Sequence, residues 1–326
     1  MIREQKELVD RENSDPDCFD RDTGKTATDD ARNANDIGEN EILVVSFGTS
    51  FKDGRVQDIK GIEDALQEAY PDWSVRRAFT AQGIINRVQT CDGKKIDNMT
   101  QALQRAAANG VKNLVVQPTH LIHGVEYNEI MATLVQYKDR FERAAVAEPL
   151  LGAGNSEITP VDTDKLAVAE AVAAQAAADA GYESVQAAAA DGAAFVFLGH
   201  GTANEAKVSY AQMQIRLVEL GFENVYIGTI KDGAEETTCE EIIRRVKKKG
   251  YTKVILRPLM AAAGGHANND MAGDNERSWK SRLSAAGLTA EAQISGLGRI
   301  KAVQDLYVAH TAAAIRVLNR HFHGRP

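Results

Sequence analysis

Short apolar runs alternate with helix-forming segments along most of this chain. Residues 41–46, 74–80 and 111–118 predict strands in the first half, and residues 194–199 and 255–258 predict strands in the second half. A strand, helix, strand order requires right-handed crossovers and gives a parallel sheet that helices cover on both faces. The alternation therefore predicts an α/β fold.

The chain predicts a polar arm and two domains. Residues 1–40 contain few large apolar side chains and predict a disordered N-terminal arm. Residues 41–190 and 191–326 are the expected domains, with the polar, glycine-bearing stretch 187–194 as the joint. The final helix is free to pack back on the first domain.

The two expected domains resemble each other. Gly48-Thr49 aligns with Gly201-Thr202, Phe79-Thr80 aligns with Gly228-Thr229, and residues 115–118 align with residues 255–258. Each aligned pair lies at the end of an expected strand. We therefore expect an internal repeat of one α/β unit.

The composition argues against several classes of protein. The formal net charge is -8 without a basic stripe, so no nucleic-acid partner is expected. The N-terminus lacks the apolar core of a secretory signal, and no run is long enough to span a bilayer, so we expect a cytoplasmic protein without a membrane partner. The three cysteines are widely spaced and predict neither a disulfide framework nor a cysteine zinc site.

Two histidines follow apolar strands in the second half. His200 lies in Gly199-His-Gly-Thr, and His266 lies in Gly265-His-Ala-Asn-Asn-Asp. Ligands of α/β proteins bind beyond the carboxyl ends of strands, and neutral imidazole binds divalent metals and accepts protons. The neighbouring glycines allow a ligand to approach closely. The pair predicts metal chemistry; the alternative is that each histidine only hydrogen-bonds its own loop.

Glu126 occupies the position of His266 in the other repeat. It lies eight residues after Pro118, as His266 lies eight residues after Pro258. Two facing repeats would set Glu126 opposite His200 and His266 across a cleft. We expect Glu126 to act there as a ligand or as a proton acceptor.

Several motifs occur in a fixed order from about residue 41 to the C-terminus. They are Leu43-Val-Val-Ser-Phe-Gly-Thr-Ser, Arg77-Ala-Phe-Thr, Gln117-Pro-Thr-His-Leu-Ile-His-Gly-Val-Glu-Tyr, Gly199-His-Gly-Thr, His266-Ala-Asn-Asn-Asp-Met-Ala-Gly-Asp, Ser278-Trp-Lys and Gly296-Leu-Gly. With these motifs the chain resembles the class II tetrapyrrole chelatases, and most closely their anaerobic sirohydrochlorin cobaltochelatase (CbiK) family. The resemblance implies two flavodoxin-like (chelatase-like) domains, with the tetrapyrrole bound between them.

The resemblance also implies roles for individual residues. His200 and His266 match the metal-binding and catalytic pair of the family, and Glu126 matches a carboxylate of the same cleft. Because sirohydrochlorin bears many carboxylates, its site requires hydrogen-bond donors. The candidates for tetrapyrrole binding are Arg77, His120, and the backbone amides of the turns formed by Gly48, Thr49, Gly201 and Thr202.

Two positions depart from the family pattern. Lys231 stands where the family commonly has a metal-binding glutamate, and a protonated lysine cannot bind a metal; the adjacent Asp232 is the candidate replacement. Gly265 stands where the family often has an aspartate, which could tune the following histidine. These departures leave open the insertion of Fe²⁺ or Ni²⁺, or a non-catalytic tetrapyrrole-binding protein.

The resemblance implies a cobaltochelatase reaction. Co²⁺ enters sirohydrochlorin, or precorrin-2, with release of two protons, in anaerobic cobalamin biosynthesis. Cobalt is then the substrate metal, and no nucleotide cofactor is expected because neither GxxxxGK[ST] nor GxGxxG is present. The expected partners are sirohydrochlorin and a divalent metal ion, and a homo-oligomer is left open.

Overall fold

Two parallel four-stranded sheets organise the chain. The structure, a computed structural model, describes residues 29–35, 38–152, 163–203, 205–231 and 233–320, so most of the expected arm, and Asp232, lie outside the described residues. The strands of the first sheet are β1 Asn40–Ser46, β2 Ser74–Phe79, β3 Asn113–Pro118 and β4 Arg143–Val146. Those of the second are β5 Ala193–Gly199, β6 Val225–Thr229, β7 Lys253–Pro258 and β8 Thr289–Ala292.

Both sheets have the same strand order. The first runs β2-β1-β3-β4 and the second runs β6-β5-β7-β8, with every pair parallel. The interior strands β1 and β5 carry continuous apolar runs, and Val44 and Val196 are fully buried, because helices cover both faces of a parallel sheet. The predicted α/β fold and its internal repeat are confirmed. The edge strands β4 and β8 were not predicted from the sequence.

Helices connect the strands. They are α1 Lys60–Ala69, α2 Gln82–Asp92, α3 Met99–Ala108, α4 Val125–Tyr137, α5 Thr163–Asp179, α6 Val185–Ala190, α7 Val208–Glu219, α8 Cys239–Lys248, α9 Trp279–Ala285 and α10 Lys301–Arg320. The alanine-rich stretch from 165 to 190 forms two helices. Gly181 between them has a φ of +82°, a left-handed conformation that ends a helix.

The chain divides into two compact units at an earlier point than the expected joint. The first unit is Met1–Ala153 with Val303–Pro326, and the second unit is Gly154–Ala302. Helices α5 and α6 belong to the second unit, where Gln293 Nε2 donates to the Ala176 carbonyl at 3.0 Å. The boundary is displaced because the packing of these helices, and not the polarity of the 187–194 stretch, decides where they belong.

Most of the last helix belongs to the first unit. The Tyr307 hydroxyl on α10 donates to the Thr119 carbonyl at 2.8 Å, and Thr311 Oγ1 donates to Gln117 Oε1 at 2.7 Å. Both acceptors lie at the carboxyl end of β3. The helix therefore supports the loop that carries His120 and leads to Glu126.

Within the described residues no helix combines the length and the apolar character needed to cross a membrane. Cys239 is a buried free thiol, but Cys91 is disulfide-bonded, which the cysteine spacing did not predict. Spacing along the chain does not show which thiols meet in space.

Arg77 lies in a buried ionic network and not at a ligand site. Its Nε and Nη2 donate to the two carboxylate oxygens of Glu63 at 2.7 and 2.8 Å, and its Nη1 donates to Asp29 at 2.9 Å. Arg77 is 1% exposed. Burial alone would lower the pKa of Arg77, but Glu63 and Asp29 raise it above its ordinary value. The interpretation of Arg77 as a donor to tetrapyrrole carboxylates is therefore corrected: it is a structural cation of the first unit.

Replacing Arg77 should destabilise the first unit strongly. Arg77→Met leaves the carboxylates of Glu63 and Asp29 buried without their shared cation, a loss that typically costs about 3–5 kcal/mol. Urea unfolding followed by circular dichroism measures the change. The control is Arg244→Met, which removes an exposed ion pair with Glu241 and should leave the unfolding midpoint nearly unchanged. Equal midpoints for the two variants would contradict the structural role.

Candidate functional site

The two predicted histidines of the second unit lie side by side. Strands β5 and β7 are neighbours, with Leu198 paired to Pro258, so the loops that follow them start at the same edge of the sheet. The centres of the His200 and His266 rings are 4.7 Å apart, and the ring planes meet at 60°. The structure therefore brings together the pair that the sequence analysis selected.

A tight turn holds His200. Gly201 has a φ of +85°, and a Cβ there would lie 1.6 Å from the Lys231 carbonyl oxygen. The Lys231 N–H donates to the His200 carbonyl at 3.0 Å, and the Gly201 N–H donates to the Tyr210 hydroxyl at 3.1 Å. The Gly201 amide thus serves the turn, which corrects its assignment as a donor to the tetrapyrrole.

A short helical segment holds His266. Residues His266–Met271 form a π-helical turn, and Ala267 and Met271 are fully buried in the core of the second unit. Asn268 Nδ2 donates to the Gly264 carbonyl at 2.9 Å. His266 itself is 8% exposed, so the segment holds a largely buried imidazole in a fixed place.

Hydrogen bonds select the same tautomer for both histidines. His200 Nδ1 lies 2.9 Å from the Gly201 carbonyl oxygen, and His266 Nδ1 lies 2.6 Å from Asp270 Oδ2. A carbonyl or carboxylate oxygen can only accept, so Nδ1 carries the proton and the lone pair of each neutral ring is on Nε2. Asp270 was missed by the sequence analysis, although its i,i+4 spacing from His266 was a usable signal.

Two imidazoles alone would be an incomplete set of metal ligands, because structural sites for a metal such as zinc have four. Within the described ranges there is no cluster of three or more histidine, cysteine, aspartate or glutamate residues that could hold a metal. The backbone of Lys231 lies against the His200 turn, and Asp232 lies outside the described residues.

The first unit carries His120 and Glu126 at the equivalent edge of its own sheet. Glu126 lies in the first turn of α4. Both ring nitrogens of His120 are buried without a hydrogen-bond partner among the described residues. Burial lowers the pKa of His120 to about 4, and the Glu126 carboxylate acts in the opposite direction. His120 is therefore a neutral imidazole with unsatisfied hydrogen-bonding groups.

The turn after β1 is mostly structural. Gly48 has a φ of +96°, and a Cβ there would lie 2.5 Å from the Phe79 ring. Thr49 is 1% exposed, and its hydroxyl accepts from the Phe51 N–H at 3.1 Å. The Thr49 side chain is therefore turned inward, whereas Gly48 and Thr202 are partly exposed. A ligand contact by the backbone of Gly48, Thr49 or Thr202 stays a prediction.

Known protein sequences match most of this chain. The model of a family described as cobalt chelatase (CbiK) matches residues 40–316. A sirohydrochlorin cobaltochelatase of Salmonella typhimurium is 34% identical over 276 residues, which cover 85% of this chain and 96% of the relative. The sirohydrochlorin cobaltochelatase CbiKC of Nitratidesulfovibrio vulgaris is 31% identical over 281 residues, which cover 85% and 91%.

Solved structures share the fold. SirB from Bacillus subtilis with Fe³⁺ matches with a TM-score of 0.58 at 15% identity, covering 86% of this chain and 98% of SirB. The sirohydrochlorin chelatase SirB from Bacillus subtilis subspecies spizizenii in complex with cobalt matches with a TM-score of 0.51 at 12% identity, covering 87% and 99%. At these identities the likeness establishes the fold alone.

Replacing Gly201 should destabilise the protein, because the Lys231 carbonyl leaves no space for a Cβ. Gly201→Ala combines a left-handed φ, which costs about 1–2 kcal/mol for alanine, with a clash against the Lys231 carbonyl. The matched control is Gly181→Ala, where φ is similar but no atom lies within 4 Å of the added Cβ. We expect Gly201→Ala to lower the free energy of unfolding in urea clearly more than Gly181→Ala. Equal losses would mean that the Lys231 contact contributes nothing.

The depressed pKa of His120 should affect the pH dependence of stability. Below its ordinary value of 6.5 the unfolded state takes up a proton at His120, but the folded state does so only near pH 4. The unfolded state then binds more protons, so stability falls as pH falls through this window. His120→Asn should lose less stability than the wild type between pH 6.5 and about pH 4 in urea unfolding. Equal losses of stability in the wild type and in His120→Asn, or a pKa of His120 near 6.5 in an NMR titration, would contradict this assignment.

Proposed function

The chain belongs to the cobalt chelatase (CbiK) family, and from this premise we propose that it inserts Co²⁺ into sirohydrochlorin at a site that includes His200 and His266. The product is cobalt-sirohydrochlorin in cobalamin biosynthesis, and two pyrrole N–H protons are released for each metal ion. The observation that carries the site assignment is the pair of imidazole rings 4.7 Å apart at the ends of β5 and β7.

Cobalt is favoured over the alternative metals by the two curated relatives, both of which are named cobaltochelatases. A histidine pair alone does not select cobalt, because imidazole binds divalent iron, nickel and cobalt following general affinity trends. The relatives also favour an enzyme over a non-catalytic tetrapyrrole-binding protein, despite Lys231. The cytoplasmic location and a homo-oligomer stay predictions.

The histidine pair captures the metal through its Nε2 atoms. Nδ1 of each ring is occupied by its proton, which bonds to Gly201 or Asp270, so Nε2 is the nitrogen that offers a lone pair. Two protein ligands leave several coordination positions for water and for incoming pyrrole nitrogens. A sparse site suits a metal that must be given up, and Asp232 is a further proposed ligand.

The released protons require acceptors other than metal-bound histidines. A ring whose Nε2 lone pair is donated to Co²⁺ cannot also take up a proton there. Glu126 is the proposed acceptor, because it is a partly exposed carboxylate at the strand edge of the first unit. His120 is proposed to hydrogen-bond the tetrapyrrole, since its nitrogens are buried without partners and its low pKa keeps it neutral.

Replacing either histidine should abolish catalysed insertion. We expect anaerobic absorbance spectra of sirohydrochlorin with Co²⁺ to change faster with the wild-type protein than without protein. His200→Ala and His266→Ala should both return the rate to the spontaneous one, because each leaves a single imidazole for the metal. Separate assays with Fe²⁺ and Ni²⁺ measure metal preference, and Co²⁺ should give the highest catalysed rate.

A histidine elsewhere serves as the control for this experiment. His123 lies in the first unit, where it is paired with Glu148 at 2.7 Å and stacked on Tyr127. His123→Ala should keep most of the activity. The site assignment would be refuted by a His200→Ala, His266→Ala double variant that retains the wild-type rate.

A further inference from the structure

We propose that Asp270 is the positioning residue of His266, holding the ring so that Nε2 is presented to the incoming cation. This proposal rests on the proposed metal-capturing role of His266. His266 Nδ1 and Asp270 Oδ2 are 2.6 Å apart, and the side chains are 9% and 23% exposed. Hydrogen bonds to a carboxylate are shorter and roughly twice as strong as bonds between neutral groups. The bond therefore fixes both the tautomer and the rotation of the ring.

The local fold builds this contact. His266 and Asp270 are one helical turn apart, so their side chains share a face. Beyond Asp270, Asn275 Nδ2 donates to the Asn269 carbonyl at 3.1 Å, and a Cβ on Gly273 would lie 2.4 Å from the same oxygen. The backbone directly before Asp270 is thus held by the loop that follows it.

Asp270 also compensates for Gly265, which stands where the family often has an aspartate. A glycine there removes a carboxylate directly before the metal-binding histidine, which left the tuning of His266 in doubt. The structure supplies a carboxylate to the same ring from four residues later. No acidic residue at position 265 is needed to orient the imidazole.

The two histidines differ in the group that accepts the hydrogen bond from Nδ1. A carboxylate that accepts the far proton of a metal-binding imidazole raises the basicity of the nitrogen that binds the metal. His266 has such a carboxylate, whereas His200 Nδ1 meets the neutral Gly201 carbonyl. His266 is therefore the stronger of the two ligands, and Asp270 is the source of the difference.

Metal titration separates this role from a general effect on folding. Asp270→Ala should weaken Co²⁺ binding, followed by Co²⁺ absorption without sirohydrochlorin, by about 10- to 100-fold, the usual loss for such partners of metal ligands. The KM for Co²⁺ should rise by a similar factor, with a smaller change in kcat. Asp270→Asn keeps an oxygen that accepts from Nδ1–H and should recover part of the affinity. Asp274→Ala, at an exposed aspartate of the same loop, should bind Co²⁺ as the wild type does.

The outcomes distinguish this proposal from the proposed function. Wild-type Co²⁺ affinity in Asp270→Ala, combined with loss of binding in His266→Ala, would overturn the role of Asp270 and leave the metal site intact. Unchanged binding and activity in His266→Ala would remove the proposed site itself. Thermal unfolding checks that each variant is folded. If Asp270→Ala does not fold, Asp270→Asn decides: weaker Co²⁺ binding by a folded protein supports the proposal, and wild-type binding overturns it.

Discussion

The parallel pairing of β5 with β7 is the contact on which the histidine pair depends. It sets Leu198 level with Pro258, and the Leu259 N–H extends the pairing by donating to the Leu198 carbonyl at 2.8 Å. The loops that carry His200 and His266 therefore start from one rigid edge. A shift of the register by one residue would turn every side chain of a strand to the opposite face, and in β7 it would separate the buried Arg257 from Asp179 and Gln293.

The repeat shows how one topology supports different local chemistry. In the second unit, the turn after β5 is held by the Tyr210 hydroxyl and by the backbone of Lys231. In the first unit, the equivalent turn is held by Arg55, whose guanidinium donates to the Ser50 carbonyl at 2.6 Å and to Asp29 at 2.9 Å. The strand order places a turn at the same point of each sheet, while the residues of the turn decide what it can bind.

Much of this organisation could be predicted from the sequence, and the failures have physical causes. The strand ends could be predicted because the apolar runs stop at Gly and Pro residues. His200 and His266 were therefore placed correctly in the loops that follow two of the strands. Arg77 was misassigned because its burial depends on Asp29, which is 48 residues away and carries no local signal. The unit boundary was misplaced because tertiary packing, and not composition, assigns α5 and α6. Asp270 was within reach, since a helical segment after Gly265 brings residues four apart onto one face.

A metal chelatase needs a site whose ligands are fixed in position but whose affinity for the metal is low enough to release it. In the proposed site, the turn at Gly201 and the segment after Gly264 supply the rigidity, because contacts within the protein fix them independently of any ligand. A low affinity would follow from the small number of proposed protein ligands, since a closed set of four would make the bound metal part of the structure. Rigidity also lowers the entropy lost when the metal binds. A preorganised but incomplete site can therefore capture a cation and still release it when the ring nitrogens of the macrocycle supply the remaining ligands.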